Sequence, residues 1–270
     1  MQNVLMVDDD QQVAGVLAAA LRTMGHEVTV ESDSANVEAV CREMTPDVVL
    51  LDLMMPGRTG LELVGPVSEI CPDAVISMVT GMSDPEVASR SLETGAWSVL
   101  YKPYSLRDLA ELLGLAGLLG ESIRLEQSAD ANPEQVNLSF RGDQRCEAAD
   151  VARLMSFARQ AGAAPDTRRR RVPLVAWELL ENARTHGAGE CEAQTYSLSM
   201  EHDADSLTMT VSNAGPEFDW QTAIRRLNSM GSSTRPRGLW LVNELTQSLT
   251  YEDRGRVARA RIEKNPKATA

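Results

Sequence analysis

The chain has 270 residues and a formal charge of −13, a length that calls for two domains, either half being able to bury a core of its own. Residues 1–127 hold 20 acidic against 7 basic side chains and the remainder 19 of each; the neutral second half argues against a DNA-binding output, whose affinity rests on neutralising phosphates. Cys41, Cys71, Cys146 and Cys191 form no CxxC pair and no apolar stretch approaches a membrane span, so a soluble cytoplasmic protein without a zinc site, disulfide framework or membrane contact is expected.

In chain order, Asn3–Val7 reads as a strand ending in Asp8-Asp9-Asp10, and Gln11–Met24 as a helix with a core-facing stripe from Val13 to Met24, stopped by Gly25. A strand at Glu27–Val30 and a helix at Ser34–Met44 follow, with His26 read as a surface residue in the turn before that strand. The run from Asp47 to Asp52 is an unbroken β-branched and Leu stretch that stops on a carboxylate, with Pro56-Gly57 soon after, the pattern of a strand buried on both faces. Then come a helix at Gly60–Ile70, a strand at Ala74–Val79 ending in Thr80-Gly81, a helix at Asp84–Thr94 and a strand at Trp97–Tyr101 ending in Lys102-Pro103. Such alternation predicts an α/β, doubly wound, five-stranded parallel sheet.

Buried parallel strands deliver their last residues to the sheet edge where open α/β folds bind ligands. Asp52 alone could equally be a helix cap or a metal ligand. An acid pair, a hydroxyl and a lysine on neighbouring strand ends give it company: clustered carboxylates favour Mg²⁺, and a cation with a lysine can hold the oxygens of a phosphoryl group passed to a carboxylate.

The motifs VLMVDDD, VVLLDLMMPGRTG, MVTG and YKP, in this order and spacing, resemble the receiver domain of bacterial two-component response regulators, a flavodoxin-like fold. The resemblance implies that Asp52 is the phosphoacceptor, and that Asp8, Asp9, Asp52 and the Met54 backbone carbonyl hold Mg²⁺. It further implies that Thr80 is the switch hydroxyl, that Lys102 contacts the phosphate, and that a cognate sensor histidine kinase is the phosphoryl donor. Val99 stands where the family usually carries an aromatic.

A helix from Ser105 keeps its apolar stripe through Leu125, about twice the usual length. Two readings stay open: a core helix running into an amphipathic linker, or a homodimer seam, with Gly114, Gly117 and Gly120 each weakening the helix by about 1 kcal/mol. The polar stretch Ser128–Pro133 marks a boundary, giving a receiver at 1–120, a helical extension and linker at 121–133, an output domain at 134–264 and a tail at 265–270. The output domain reads as a strand at Gln135–Phe140, helices at Cys146–Gln160 and Arg168–His186, strands at Thr195–Met200 and Ser206–Ser212, a helix near Asp219–Leu227, a helix at Gly238–Leu245, and a hairpin of Leu249–Asp253 with Val257–Ile262. The order predicts an α+β two-layer sandwich. The run Arg168–Arg171 reads as a solvated face or a partner contact before an anion site.

Glu178 and Asn182 share a helix face at i and i+4, a carboxylate base beside an amide able to ligate Mg²⁺, although such pairs are common on solvated helices. ELLENARTHG resembles the N box of the gyrase, histidine-kinase and mismatch-repair (GHKL) ATP-binding superfamily, and closest its anti-sigma-factor serine kinases. The resemblance implies Glu178 as base, Asn182 as Mg²⁺ ligand, His186 near the phosphates, and a nucleotide contact at Asn213, Gly215 and Gly238, with ATP as the cofactor. Asn213 replaces the family's aspartate, Glu217 a glycine, and Gly238-Leu239-Trp240 its paired glycines, all of which weaken a grip on ATP.

The expected function is a phosphorelay response regulator whose phosphorylation at Asp52 controls a degenerate ATPase-like domain that binds a protein, by resemblance a sigma factor or an anti-sigma antagonist. The alternative is a receiver-gated, ATP-dependent serine kinase. A histidine phosphotransferase is disfavoured, since none of His26, His186 and His202 lies on the linker helix.

Overall fold

The computed structural model describes residues 1–82, 85–128, 135–217, 219, 222 and 237–266. They fall into two compact units that part between Gly120 and Glu121. The expected helix near Asp219–Leu227, apart from Asp219 and Thr222, and the boundary stretch after Ser128 lie outside the described residues. Among the described residues no helix is long and apolar enough to cross a membrane.

The first unit runs β1 (Asn3–Val7), α1 (Gln11–Thr23), β2 (Glu27–Glu31), α2 (Val37–Met44), β3 (Val48–Asp52), α3 (Gly60–Ile70), β4 (Val75–Thr80), α4 (Pro85–Glu93), β5 (Ser98–Tyr101) and α5 (Leu106–Ser128). Its strands are all parallel, in the order β2-β1-β3-β4-β5. Every residue of β3 and β4 is buried, as their unbroken apolar runs require, while edge strand β2 is largely exposed.

Three local departures matter. Helix α2 starts at Val37, not Ser34, because the Ser34 hydroxyl is drawn across to the loop behind β3: it donates to the Pro56 carbonyl at 2.8 Å and accepts from the Arg58 amide at 3.1 Å. Pro66 lies inside α3 and cannot donate to the Glu62 carbonyl; Arg58 Nη2 donates to that oxygen instead at 3.1 Å. Along α5, Leu109, Leu112, Leu115, Leu119 and Ile123 are buried, while Leu106 and Leu125 towards its two ends are exposed. His26 is half-buried with its Nδ1 shielded and without a partner among the described residues, which corrects its reading as a surface residue.

The second unit contains β6 (Val136–Arg141), α6 (Ala148–Gln160), α7 (Val172–Asn182), β7 (Thr195–His202), β8 (Ser206–Asn213), α8 (Arg237–Leu245), β9 (Ser248–Glu252) and β10 (Val257–Glu263). The sheet is antiparallel in the order β6-β7-β8-β10-β9. Alternating burial along β6 and β10 gives one covered face; α7 packs against β7, β8 and β10, with α6 and α8 at its sides. Where a continuous helix over Arg168–His186 is expected, α7 is flanked by wider π turns at Thr167–Arg171 and Ala183–Gly187.

The run Arg168–Arg171 is no solvated face. Arg170 is buried and grips Asp166 through Nε at 2.5 Å and Nη2 at 3.1 Å, Arg171 Nε reaches the same carboxylate at 2.9 Å, and Arg168 Nη1 meets Glu126 at 3.4 Å. Burial works to raise the Asp166 carboxyl, but its two arginines hold it below the usual carboxylate range.

Candidate functional site

In the first unit the strand order reverses between β1 and β3, so a crevice opens at their C-terminal ends. Asp8 follows β1, Asp52 ends β3, Thr80 ends β4 and Lys102 follows β5. Lys102 Nζ donates to Asp8 Oδ2 at 2.8 Å and to Asp52 Oδ1 at 2.6 Å, one ammonium shared by two buried carboxylates. The remaining oxygens take backbone donors: Asp52 Oδ2 from Met54 at 2.9 Å, and Asp8 Oδ1 from Asp10 at 2.9 Å. Asp10 itself caps α1 through the amides of Gln12 and Val13.

Thr80 is buried; its Oγ1 accepts from the Met82 amide at 3.0 Å, and its carbonyl accepts from the Lys102 amide at 2.7 Å, tying two strand ends together. Asp9 stands apart, exposed and with no hydrogen bond or ion pair among the described residues. Gly60 sets the backbone behind the site. Any Cβ there would overlap the Asp52 carbonyl oxygen and come within 2.6 Å of the Met78 methyl, so α3 can start this close to β3 only on glycine.

Burial raises the Asp52 carboxyl above its usual value, and the hydrogen bond and charge of Lys102 only partly oppose this. Burial likewise works to lower Lys102, but hydrogen bonds to Asp52 and Asp8 leave it above the ordinary lysine value. Both shifts point upward because burial outweighs the lysine at Asp52, while at Lys102 two anions outweigh burial. The Tyr104 phenol, unsuspected from sequence, is raised by burial and by the charges of Asp8 and Asp52, against the pull of Lys102. Its position two residues past the lysine was the available signal.

The donor set suits a hard divalent ion. Two carboxylates already hold oxygens against one cation, and Mg²⁺ is usually kept by one or two carboxylates and several waters. Among the described residues no group of three His, Cys, Asp or Glu forms a ready-made cage.

In the second unit a cavity of about 400 Å³ opens beside α7, lined by Glu178, Asn182, His186, Asn213 and Gly238. That volume lies within the range of small-molecule sites. At Gly238, at the start of α8, a Cβ would press on the Glu178 carboxylate, the movable end of a flexible side chain, and lie 3.9 Å from Asn182 Nδ2. Asn213 Oδ1 accepts from the Gly215 amide at 3.0 Å, and its Nδ2 donates to the Arg256 carbonyl at 3.3 Å. Gly215, expected in the site, is not part of the lining; a Cβ on it would overlap the Gly187 carbonyl, and one on Gly187 would run into the Asn213 side chain.

Glu217 turns to Arg254, pairing at 2.6 Å, and so leaves the cavity. Tyr251 and Arg256, which sequence reasoning missed, line it. Burial pushes the Tyr251 phenol up to about 12, and Arg256 Nε donates to the Gly215 carbonyl at 2.9 Å. The Asn182 amide makes no hydrogen bond among the described residues, whereas buried Arg184 braces the helix end by a two-point grip on Glu181 at 3.0 and 2.5 Å. Both ends of the Asn213 amide, by contrast, are already engaged.

The class of protein is thus two-domain: a doubly wound unit with a lysine-bridged acid pair at its switch point, followed by a two-layer α+β sandwich. Residues 4–114 match the response regulator receiver domain, and residues 145–262 the histidine kinase-like ATPase domain. The first unit is thus a response regulator receiver domain and the second a histidine kinase-like ATPase domain. The chain is 32% identical over 42% of its length to the phosphate regulon transcriptional regulatory protein PhoB of Pseudomonas aeruginosa, covering 50% of that protein. It is 36% identical over 40% of its length to the DNA-binding response regulator MtrA of Mycobacterium tuberculosis, covering 47% of it. The chain thus spans about half the length of these relatives. A response regulator from Burkholderia pseudomallei, solved with a phosphorylated aspartic acid, a calcium ion and citrate, is 26% identical over 47% of this chain and 74% of that one, with a TM-score of 0.41.

Proposed function

We propose that the chain is a phosphorelay response regulator that accepts a phosphoryl group on Asp52 and controls a degenerate ATPase-like unit whose role is to bind a protein partner. The observation that carries it is the Lys102 ammonium held between Asp8 and Asp52 at 2.8 and 2.6 Å. A carboxylate oxygen of Asp52 attacks the phosphorus of a phosphohistidine on the sensor kinase; the phosphorus–nitrogen bond breaks and its electron pair leaves on the ring nitrogen. Lys102 moves from the carboxylate to a phosphoryl oxygen, and the Thr80 hydroxyl, an acceptor from Met82, keeps its proton to donate to another. Asp8, Asp52, Asp9 and the Met54 carbonyl would hold Mg²⁺, which supplies neutralising charge when bound. With Val99 in the aromatic's place, the report to the second unit runs through α5.

Supporting a binding output over a kinase are the engaged Asn213 amide and the Gly238-Leu239-Trp240 sequence at the start of α8. A sigma factor or an anti-sigma antagonist is the partner class that the sequence resemblance favours. The second reading, an ATP-dependent serine kinase, draws on Glu178, Asn182 and His186 lining one cavity. Beryllofluoride with Mg²⁺ should bind the wild-type chain and not the Asp52→Asn variant; equal binding would remove Asp52 from its role. Titration with Mg-ATP separates the outputs: no binding supports the scaffold, and tight binding lost in Asn182→Ala supports the kinase.

A further inference from the structure

Helix α5 is one 23-residue element, yet the units part at Gly120, so its last turns belong to the fold of the ATPase-like unit. On those turns Ser122, Ile123 and Glu126 are buried at 0%, 4% and 2% exposure, while Glu121, Arg124 and Gln127 are exposed. One helix face is therefore packed, and it carries a carboxylate. Burying an ionised carboxylate is tolerated only with counter-charges in place. Here they are Arg168 Nη1 at 3.4 Å and Arg159 Nε at 3.6 Å.

The two arginines have different addresses. Arg159 lies in the last turn of α6, and Arg168 on the π turn that leads into α7. Neither holds Glu126 in the short two-point geometry that Arg170 makes with Asp166. A carboxylate shared between two single contacts can shift weight from one to the other at small cost, as a two-point grip cannot. The π turn is itself wider than the helix it feeds, a feature often found at functional sites. From Arg168 the helix runs to Glu178 and Asn182, about 15 Å along its axis to the first of them.

We infer that Glu126 is a positioning residue for the cavity. A movement of α5 redistributes the Glu126 carboxylate between Arg168 and Arg159, lets the Thr167–Arg171 turn adjust, and thereby resets α7 and the groups it presents. This rests on the reading of Asp52 as the input and names the joint through which that input reaches the output. Thr167 limits the adjustment to the turn, because its buried hydroxyl is fixed to the Glu263 carbonyl of β10 at 3.1 Å.

The test uses the full chain, loaded with beryllofluoride and Mg²⁺, and reads hydrogen exchange at the α7 amides, which needs no nucleotide. In the wild type, loading should change α7 exchange by about tenfold, and in Glu126→Gln the change should fall to within about twofold while beryllofluoride affinity is unaltered. Because Glu126→Gln also removes a buried charge, Glu126→Asp, which keeps the carboxylate, and urea unfolding of the second unit provide the control: a response lost in Glu126→Gln and kept in Glu126→Asp at matched stability marks a positioning role, which mere loss of stability would not produce. An undiminished α7 response in Glu126→Gln, or no response in a wild type that binds beryllofluoride, overturns the inference and leaves the phosphoacceptor reading standing. Failure of beryllofluoride to bind overturns both.

Discussion

The receiver pocket and the ATPase-like cavity are built by opposite means. In the pocket, charged groups from three strand ends meet, and Lys102 ties residues 94 and 50 positions away in sequence into one hydrogen-bonded cluster. In the cavity, Glu178, Asn182 and His186 come from a single helical stretch, and glycines at 187, 215 and 238 bring the other elements up to it. The first is therefore sensitive to charge, the second to added volume.

Variants can break this contrast, and the largest effect should come from volume. Gly215→Val places a side chain against the Gly187 carbonyl and should destabilise the second unit by about 3 kcal/mol or more, with the first unit unaffected; urea unfolding followed separately for each unit reads this. Lys102→Met comes next, leaving Asp8 and Asp52 buried together without their counter-charge; a loss of about 2 kcal/mol from the first unit at pH 7 is expected, and it should lessen in acid.

Asp52→Asn should act in the other direction. The folded state raises this carboxyl, so its ionised form is a burden at neutral pH, present in full above the folded pKa and gone below the unfolded value of about 3.9. The variant should gain about 1 kcal/mol at pH 7 in thermal unfolding, and the gain should shrink as pH falls toward 4. A gain independent of pH would assign the effect to packing. The smallest effect is expected for Glu217→Gln: its partner Arg254 is exposed, and unfolding should be unchanged within error.

The first unit was legible because each of its strands is an apolar run closed by a residue with distinctive chemistry, as at Val48–Asp52, and strand order then follows from the alternation. The sequence placed Asp8, Asp52, Thr80 and Lys102 on strand ends that the fold puts at one edge, whereas the exposure of Asp9 depends on how α1 is capped by Asp10. In the second unit the helical spacing of Glu178 and Asn182 was readable. The π turns were not, since their residues have ordinary helical composition. Nor was the fate of Arg168–Arg171, because the carboxylates that absorb three of them, Asp166 and Glu126, reveal themselves only through packing. Ser34 reads as a cap by local rules and serves a distant loop instead.

Pro66 leaves one carbonyl of α3 without its usual donor, and the guanidinium that fills the gap belongs to the segment directly downstream of Asp52. Since Arg58 also holds Glu38 of α2 at 2.8 Å, that segment is stapled to two helices by one side chain. Displacement of the backbone just beyond Asp52 cannot be absorbed locally: it must either drag both helices along or surrender a contact in each.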